Sequence, residues 1–225
     1  MADDVRVIVA RYREDVSWLR ELGYPFLIYD KSDDPFPGAV PLPNIGREAH
    51  TYLTHIVREY DTLAPVTAFV QGDPFDHLSD HGRATVDDLR RIIADVADRG
   101  TPFKGLAWFR LKCDGLGRPH DLRKPENRGR WAGWGRDIPV AEIFGHLFQA
   151  EPPVQFIARA ATGNFCVTRE RIRTRPRAFY EYALSLVLAD PQDENNTGHA
   201  FERLWQLIFN GNAAWNRDRY PGTEA

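Results

Sequence analysis

The chain has 225 residues, 43% of them hydrophobic, enough for one domain with a full core. No apolar run reaches the ~18 residues of a membrane span, and the acidic start MADDVRVIVARYRED lacks the basic, apolar and small-residue regions of a signal peptide. The net charge of −3 argues against a general nucleic-acid binder, and two distant cysteines, Cys113 and Cys166, fit reduced thiols in a cytoplasmic protein.

In chain order, VRVIVA (5–10) is a β-branched run that predicts a strand buried on both faces. A short helix is predicted over 14–22 and a second strand over 26–30. Residues 31–44 carry four prolines and read as loop. Residues 46–60 place Ala49, Leu53, Ile56, Val57 and Tyr60 on one helical face. VTAFVQ (66–71) is the third strand, followed by QGDPFDH, a turn rich in potential ligands. The helix over 85–100 has Thr85 as N-cap, Asp88 three residues on and Gly100 as its stop. A strand is expected over 105–111 and a long irregular loop over 112–137. A helix follows at 138–148, short strands at 154–158 and 163–168, and amphipathic helices at 175–189 and 199–210. Residues 1–210 thus read as a single domain and 211–225 as a loose tail.

The β-α-β-α-β opening predicts an α/β fold, a mostly parallel sheet flanked by helices, with ligands outside the carboxyl ends of the strands. The segments RYRED, DKSDD and QGDPFDH would then share one rim. Asp73, Asp76 and His77 offer oxygen and nitrogen ligands suited to manganese or magnesium, although Asp-Pro also simply starts turns. His77 and His81 have helical spacing without the Glu of a zinc-protease motif. Asn44, Gly46 and Arg47 open a helix where backbone N–H groups and an arginine suit an anion; Glu48 and His50 are in reach of the same rim. Glu202 and Arg203 flank core-type residues. Two segments are basic: 101–137 holds nine Lys and Arg against four acids, and 159–177 holds six Arg against Glu170. Either arginine set suits phosphate or carboxylate, and either suits a solvated face. No Walker loop, GxGxxG or nucleophile elbow is present.

The blocks VARYREDVSWL, IYDK, LPNIGREAHTYLTHIV, FVQGDPFDH, NFCVTRERIRTRPRAFYEYAL and FERLWQLIF resemble, in that order, those of an uncharacterised domain family over about residues 5–210. More distantly, the block order is similar to nucleotide-sugar glycosyltransferases of the GT-A type. That resemblance implies a GT-A-like, Rossmann-related domain that moves a sugar from a nucleotide diphosphate donor to an unknown acceptor. It implies donor binding by Arg11, Tyr12, Glu14, Asn44, Gly46, Arg47 and Gln71, and a divalent ion at Asp73, Asp76 and His77. It implies an acceptor side at Asn164, Phe165, Arg169 and Glu170, and the base would come from Asp76, His77 or Glu202, with Asp73 serving the same reaction. The usual Asp-x-Asp is replaced here by Gln71-Gly72-Asp73, so a metal-independent variant, with arginines neutralising the diphosphate, is the alternative. A metal-dependent hydrolase and a non-catalytic nucleotide- or carbohydrate-binding module are the rival readings.

Overall fold

Three apolar runs build the centre of the sheet in this computed structural model, which describes residues 4–119, 136–158 and 163–210. They are β1 (Val5–Arg11), β2 (Phe26–Asp30) and β4 (Val66–Gln71). A two-residue edge strand, β3 (Val40–Pro41), lies inside the proline-rich loop, where a proline is tolerated because its missing N–H faces no neighbour. The remaining strands of this sheet are β5 (Phe103–Gly105) and β8 (Phe165–Thr168), giving the order β3-β2-β1-β4-β8-β5. The first four strands are parallel, and β8 runs antiparallel to both of its neighbours. The expected α/β class and mostly parallel sheet are what the chain adopts.

Side-chain alternation divides the core into two layers. Val5, Val7, Val9, Val66, Ala68 and Val70 face α1 (Leu19–Leu22) and α3 (Val86–Arg99). Ile8, Phe69, Phe165 and Val167 face α2 (Arg47–Glu59), α4 (Val140–Phe148), α6 (Arg177–Leu188) and α7 (Thr197–Asn210). Both faces are covered, as near-continuous apolar strands require. The capping box at the start of α3 forms as its sequence predicts, with Thr85 and Asp88 bonded reciprocally and Gly100 left-handed at the end.

Besides the edge strand β3, three elements differ from expectation. Only Leu19–Leu22 of the first predicted helix is helical, because Glu14 accepts from the Tyr12 and Arg13 N–H groups and Asp15 from that of Ser17, holding turns instead. The strand expected over 105–111 is split: the chain leaves β5, the Leu106 and Trp108 N–H groups bond Asn164 O and His77 O, and pairing resumes in β6 (Leu111–Cys113). Strand β6 pairs with β7 (Phe156–Ala158) in a separate small sheet. A one-turn helix, α5 (Arg169–Ile172), follows β8. The expected tail, 211–225, lies outside the described residues. Among those described, no helix is long and apolar enough to cross a membrane. Cys113 and Cys166 are buried thiols, pushed up by burial to about 11 and about 12.

Register fixes the rim. Ala10 pairs with Gln71 and Arg11 with Asp30, so the polar ends of β1, β2 and β4 emerge side by side. Gly46 precedes α2 with φ 56°, and a Cβ there would stand 2.0 Å from Val187 Cγ1 of α6. Gly145, inside α4, has nothing within 4 Å of an added Cβ. Gly46→Ala is expected to cost at least ~2 kcal/mol through left-handed strain and overpacking, lowering the melting temperature by at least about 4 °C. Gly145→Ala is expected to hold or raise stability, by up to about 1 kcal/mol. Thermal denaturation of the two variants checks both.

Candidate functional site

Asn164, fully buried at the start of β8, organises the rim. Its Oδ1 accepts from Gln71 N at 2.9 Å and its Nδ2 donates to Gln71 Oε1 at 3.1 Å. Gln71 Nε2 in turn donates to Glu48 Oε1 at 2.7 Å. The amide of β4 is thereby fixed between β8 and the first turn of α2.

The entry to α2 is strained. Gly46 and Arg47 are both left-handed, at φ 56° and 48°, a conformation costly for arginine. Lys31, buried just past β2, holds this corner: Nζ donates to Ile45 O at 2.6 Å and to Arg47 O. Burial lowers its amine to about 8, with Glu48 and Asp193 pulling the other way. Arg47 Nε bonds Asp193 Oδ2 at 3.1 Å, and Asp193 and Asn196 are themselves left-handed in the loop before α7. Arg136 donates to the carbonyls of Asp193 and Glu194.

Helix α7 completes the site with His199, Glu202 and Arg203. Gly198 packs against Arg47, where a Cβ would come within 3.1 Å of its side chain. Glu202, 15% exposed, accepts from Arg203 Nη1 at 2.9 Å. Burial pushes its carboxyl up to about 8; Arg203 opposes this and Glu48 adds to it. Burial, with Arg47, Arg203 and Arg136, lowers His199 to about 3, and burial with Lys31 lowers His50 to about 4. The result is a pair of carboxylates, Glu48 and Glu202, among fixed cations and neutral imidazoles. Such a pair, with one member held protonated near neutrality, suits proton transfer to or from a bound hydroxyl.

The structure brings together Gln71, Asn164, Gly46, Arg47 and Glu202 from the residues singled out in the sequence. It sets others apart. Arg11 pairs with the fully buried Asp30 and its Nε bonds Glu14 O, so it closes the ends of β1 and β2. Tyr12 and Asn44 are exposed, and Glu14 caps the turn after β1 beside Gly72. Asp73 points to the other side of the rim, into a cavity of about 570 Å³ lined also by Glu14, Trp18, Phe75 and Arg83. Phe165 is buried core.

A divalent ion at Asp73, Asp76 and His77 does not fit this arrangement. Arg83 takes both oxygens of Asp73 and one of Asp76 at 2.7 Å, and the His77 ring lies against Phe109. No three His, Cys, Asp or Glu side chains converge to hold an ion among the described residues.

Arg169 and Glu170 lie at the opposite end of the sheet from Asn164, because antiparallel β8 carries the chain away: Thr168 pairs with Val66, the first residue of β4. The same reversal explains the second basic segment. Arg173 donates to Tyr60 O and Asp61 O beyond α2, and Arg175 to Ile208 O at 2.7 Å near the end of α7. These arginines satisfy carbonyls at and beyond the ends of α2 and α7. In the first basic segment, Arg118 bonds Asp137 and Arg110 is exposed, while Arg123, Arg128 and Arg130 lie outside the described residues.

The family described as protein of unknown function (DUF3431) matches residues 7–220, and the chain belongs to it. No curated protein matches the sequence. One solved structure, titled CMP:2-keto-3-deoxy-manno-octonic acid synthetase complexed with CTP, shares 13% identity. The match covers 82% of this chain and 83% of that one, with a TM-score of 0.33, too low to carry any argument about activity.

The buried groups set a pH dependence. His50, His55 and His199 have folded pKa values of about 4, 4 and 3 against 6.5 unfolded, so their contribution is full above 6.5 and is lost as pH falls toward 4. Glu202 opposes them, since it keeps its proton when folded and releases it near 4.5 when unfolded. Near pH 5.5 the net uptake on unfolding from these four groups is about two protons, a slope of roughly 2.7 kcal/mol per pH unit. Glu202→Gln removes the opposing group and steepens the slope toward three protons. Urea titrations between pH 5 and 6.5 check the sign and the change.

Proposed function

We propose that this member of the family is a glycosyltransferase-like enzyme that transfers a sugar from a nucleotide diphosphate donor to an acceptor hydroxyl. The observation that carries the reading is the Glu48–Glu202 pair beside Gln71 and Asn164, at the carboxyl end of a parallel sheet. The resemblance of the sequence blocks to GT-A enzymes supports the donor class. In this reading the start of α2, with Arg47, receives the diphosphate. The helix dipole and the guanidinium both favour the negative charge that grows on the leaving group. No step is assigned to a metal, and Asp73 and Asp76 hold Arg83 at the neighbouring cavity.

Glu202 acts as the base. Its raised pKa makes it protonated in most molecules at neutral pH and a strong acceptor once deprotonated. Glu48, fixed by Gln71, orients the hydroxyl that loses its proton. Paired carboxylates serve hydrolysis as well as transfer, so water in place of an acceptor is the competing outcome.

A thermal-shift screen of nucleoside diphosphates and nucleotide-sugars, with and without manganese, identifies the donor; a ligand at 100 times its Kd adds ~2.7 kcal/mol. With that donor, kcat/KM is expected to rise tenfold per pH unit below about 8 and level above it. Glu202→Gln is expected to lower turnover at least about 100-fold with donor affinity retained. Turnover without an acceptor assigns hydrolysis. Full activity of the Glu202→Gln variant contradicts the assignment of the base.

A further inference from the structure

Tyr52 is fully buried in α2, and its hydroxyl has no hydrogen-bond partner among the described residues. Its ring is held by Phe69 of β4 at 4.9 Å, Phe165 of β8 at 5.6 Å and Trp205 of α7 at 6.1 Å between centroids. An unsatisfied phenol in a dry core is costly, and phenylalanine would fill the same space without that cost. The fold therefore retains a hydroxyl that bonds to no described group.

Its position says what the hydroxyl faces. Glu48 lies one turn before Tyr52 on α2, and Glu202 lies one turn before Trp205 on α7, so the phenol sits beneath the carboxylate pair. Both carboxylates act on it electrostatically. Glu48 is turned to Gln71 and Glu202 to Arg203, so neither carboxylate accepts from the phenol. We propose that Tyr52 is a positioning residue for Glu202: when Glu202 loses its proton, the Tyr52 hydroxyl donates a hydrogen bond to the new carboxylate. The bond stabilises the base form beside the negative charge of Glu48 and aims it at the rim.

The inference rests on the reading of Glu202 as base, but its test does not need activity. Among the described residues, the other groups facing Glu202 are these. Helix α2 brings Arg47 and Glu48, and α7 itself brings His199 and Arg203. Strand β6 brings the Cys113 thiol, which Arg203 influences. Strands β4 and β8 bring the neutral Gln71 and Asn164. The described core residues that α4, β5 and β7 bring to this side are apolar, and α6 brings Tyr180, whose hydroxyl donates to Ile172 O.

The experiment is carbon-13 NMR of the ligand-free protein labelled at glutamate carboxyls and at the tyrosine ring carbon bearing the hydroxyl. Glu202→Gln assigns the Glu202 signal. Tyr52→Phe is expected to move the Glu202 titration upward by about one pH unit or more, because a donor to the ionised form is lost. Its melting temperature is expected to hold or rise. In the parent protein the Tyr52 signal is expected to shift as Glu202 titrates, and to stay flat in Glu202→Gln; this arm does not depend on the folding of Tyr52→Phe. An unchanged Glu202 titration in Tyr52→Phe, or a Tyr52 signal indifferent to Glu202, overturns the proposal. Loss of turnover in Glu202→Gln with either result leaves the assignment of the base standing, so the two readings fail separately.

Discussion

The side chain of Asn164 is the constraint on which the rim depends. One buried amide binds Gln71 twice, through its backbone N–H and its side-chain oxygen, while the Asn164 carbonyl accepts from Leu106. Three strands, β4, β8 and the exit of β5, are thus fixed at one point. Gln71 passes that order to Glu48 and hence to the first turn of α2. A buried amide with its partners satisfied is rigid, because any rotation leaves polar atoms unpaired in a dry environment. Glu48 is therefore held at this end of the sheet by a fixed chain of side-chain amides.

Antiparallel β8 gives the two ends of the sheet different chemistry. At one end, strained loops, buried charges and a raised carboxyl are gathered, features that cost stability and cluster at functional sites. At the other end, arginines after β8 close the carbonyls beyond α2 and α7. The same residue type answers two needs, and the direction of a single strand decides which.

Much of the fold was legible because it is local. The β-branched runs of β1, β2 and β4 and the Thr85–Asp88 capping box need only near neighbours to form. The split of 105–111 was not legible, since its hydrogen bonds go to Asn164 and His77, far off in sequence. The site was legible in part. Arg47 and Glu202 stood out by residue type and position, and Gln71 and Asn164 only through the resemblance to GT-A enzymes. No pattern in the sequence marks Arg83 as the partner of Asp73 and Asp76. Neither Tyr52 nor Lys31 is marked by residue type or spacing, because their importance comes from what they meet across the fold. The arginines of 169–177 misled for the opposite reason: composition gives charge but not direction.

The central claim is that ligand binds on the α2–α7 side of the rim and not in the neighbouring cavity beside Arg83. Hydrogen–deuterium exchange, with and without a saturating nucleoside diphosphate, tests it most directly. Slowed exchange is expected at residues 45–50 and 196–203, the entries to α2 and α7. Protection confined to residues 13–21 and 73–87 would contradict it and move the site to the Asp73–Arg83 side.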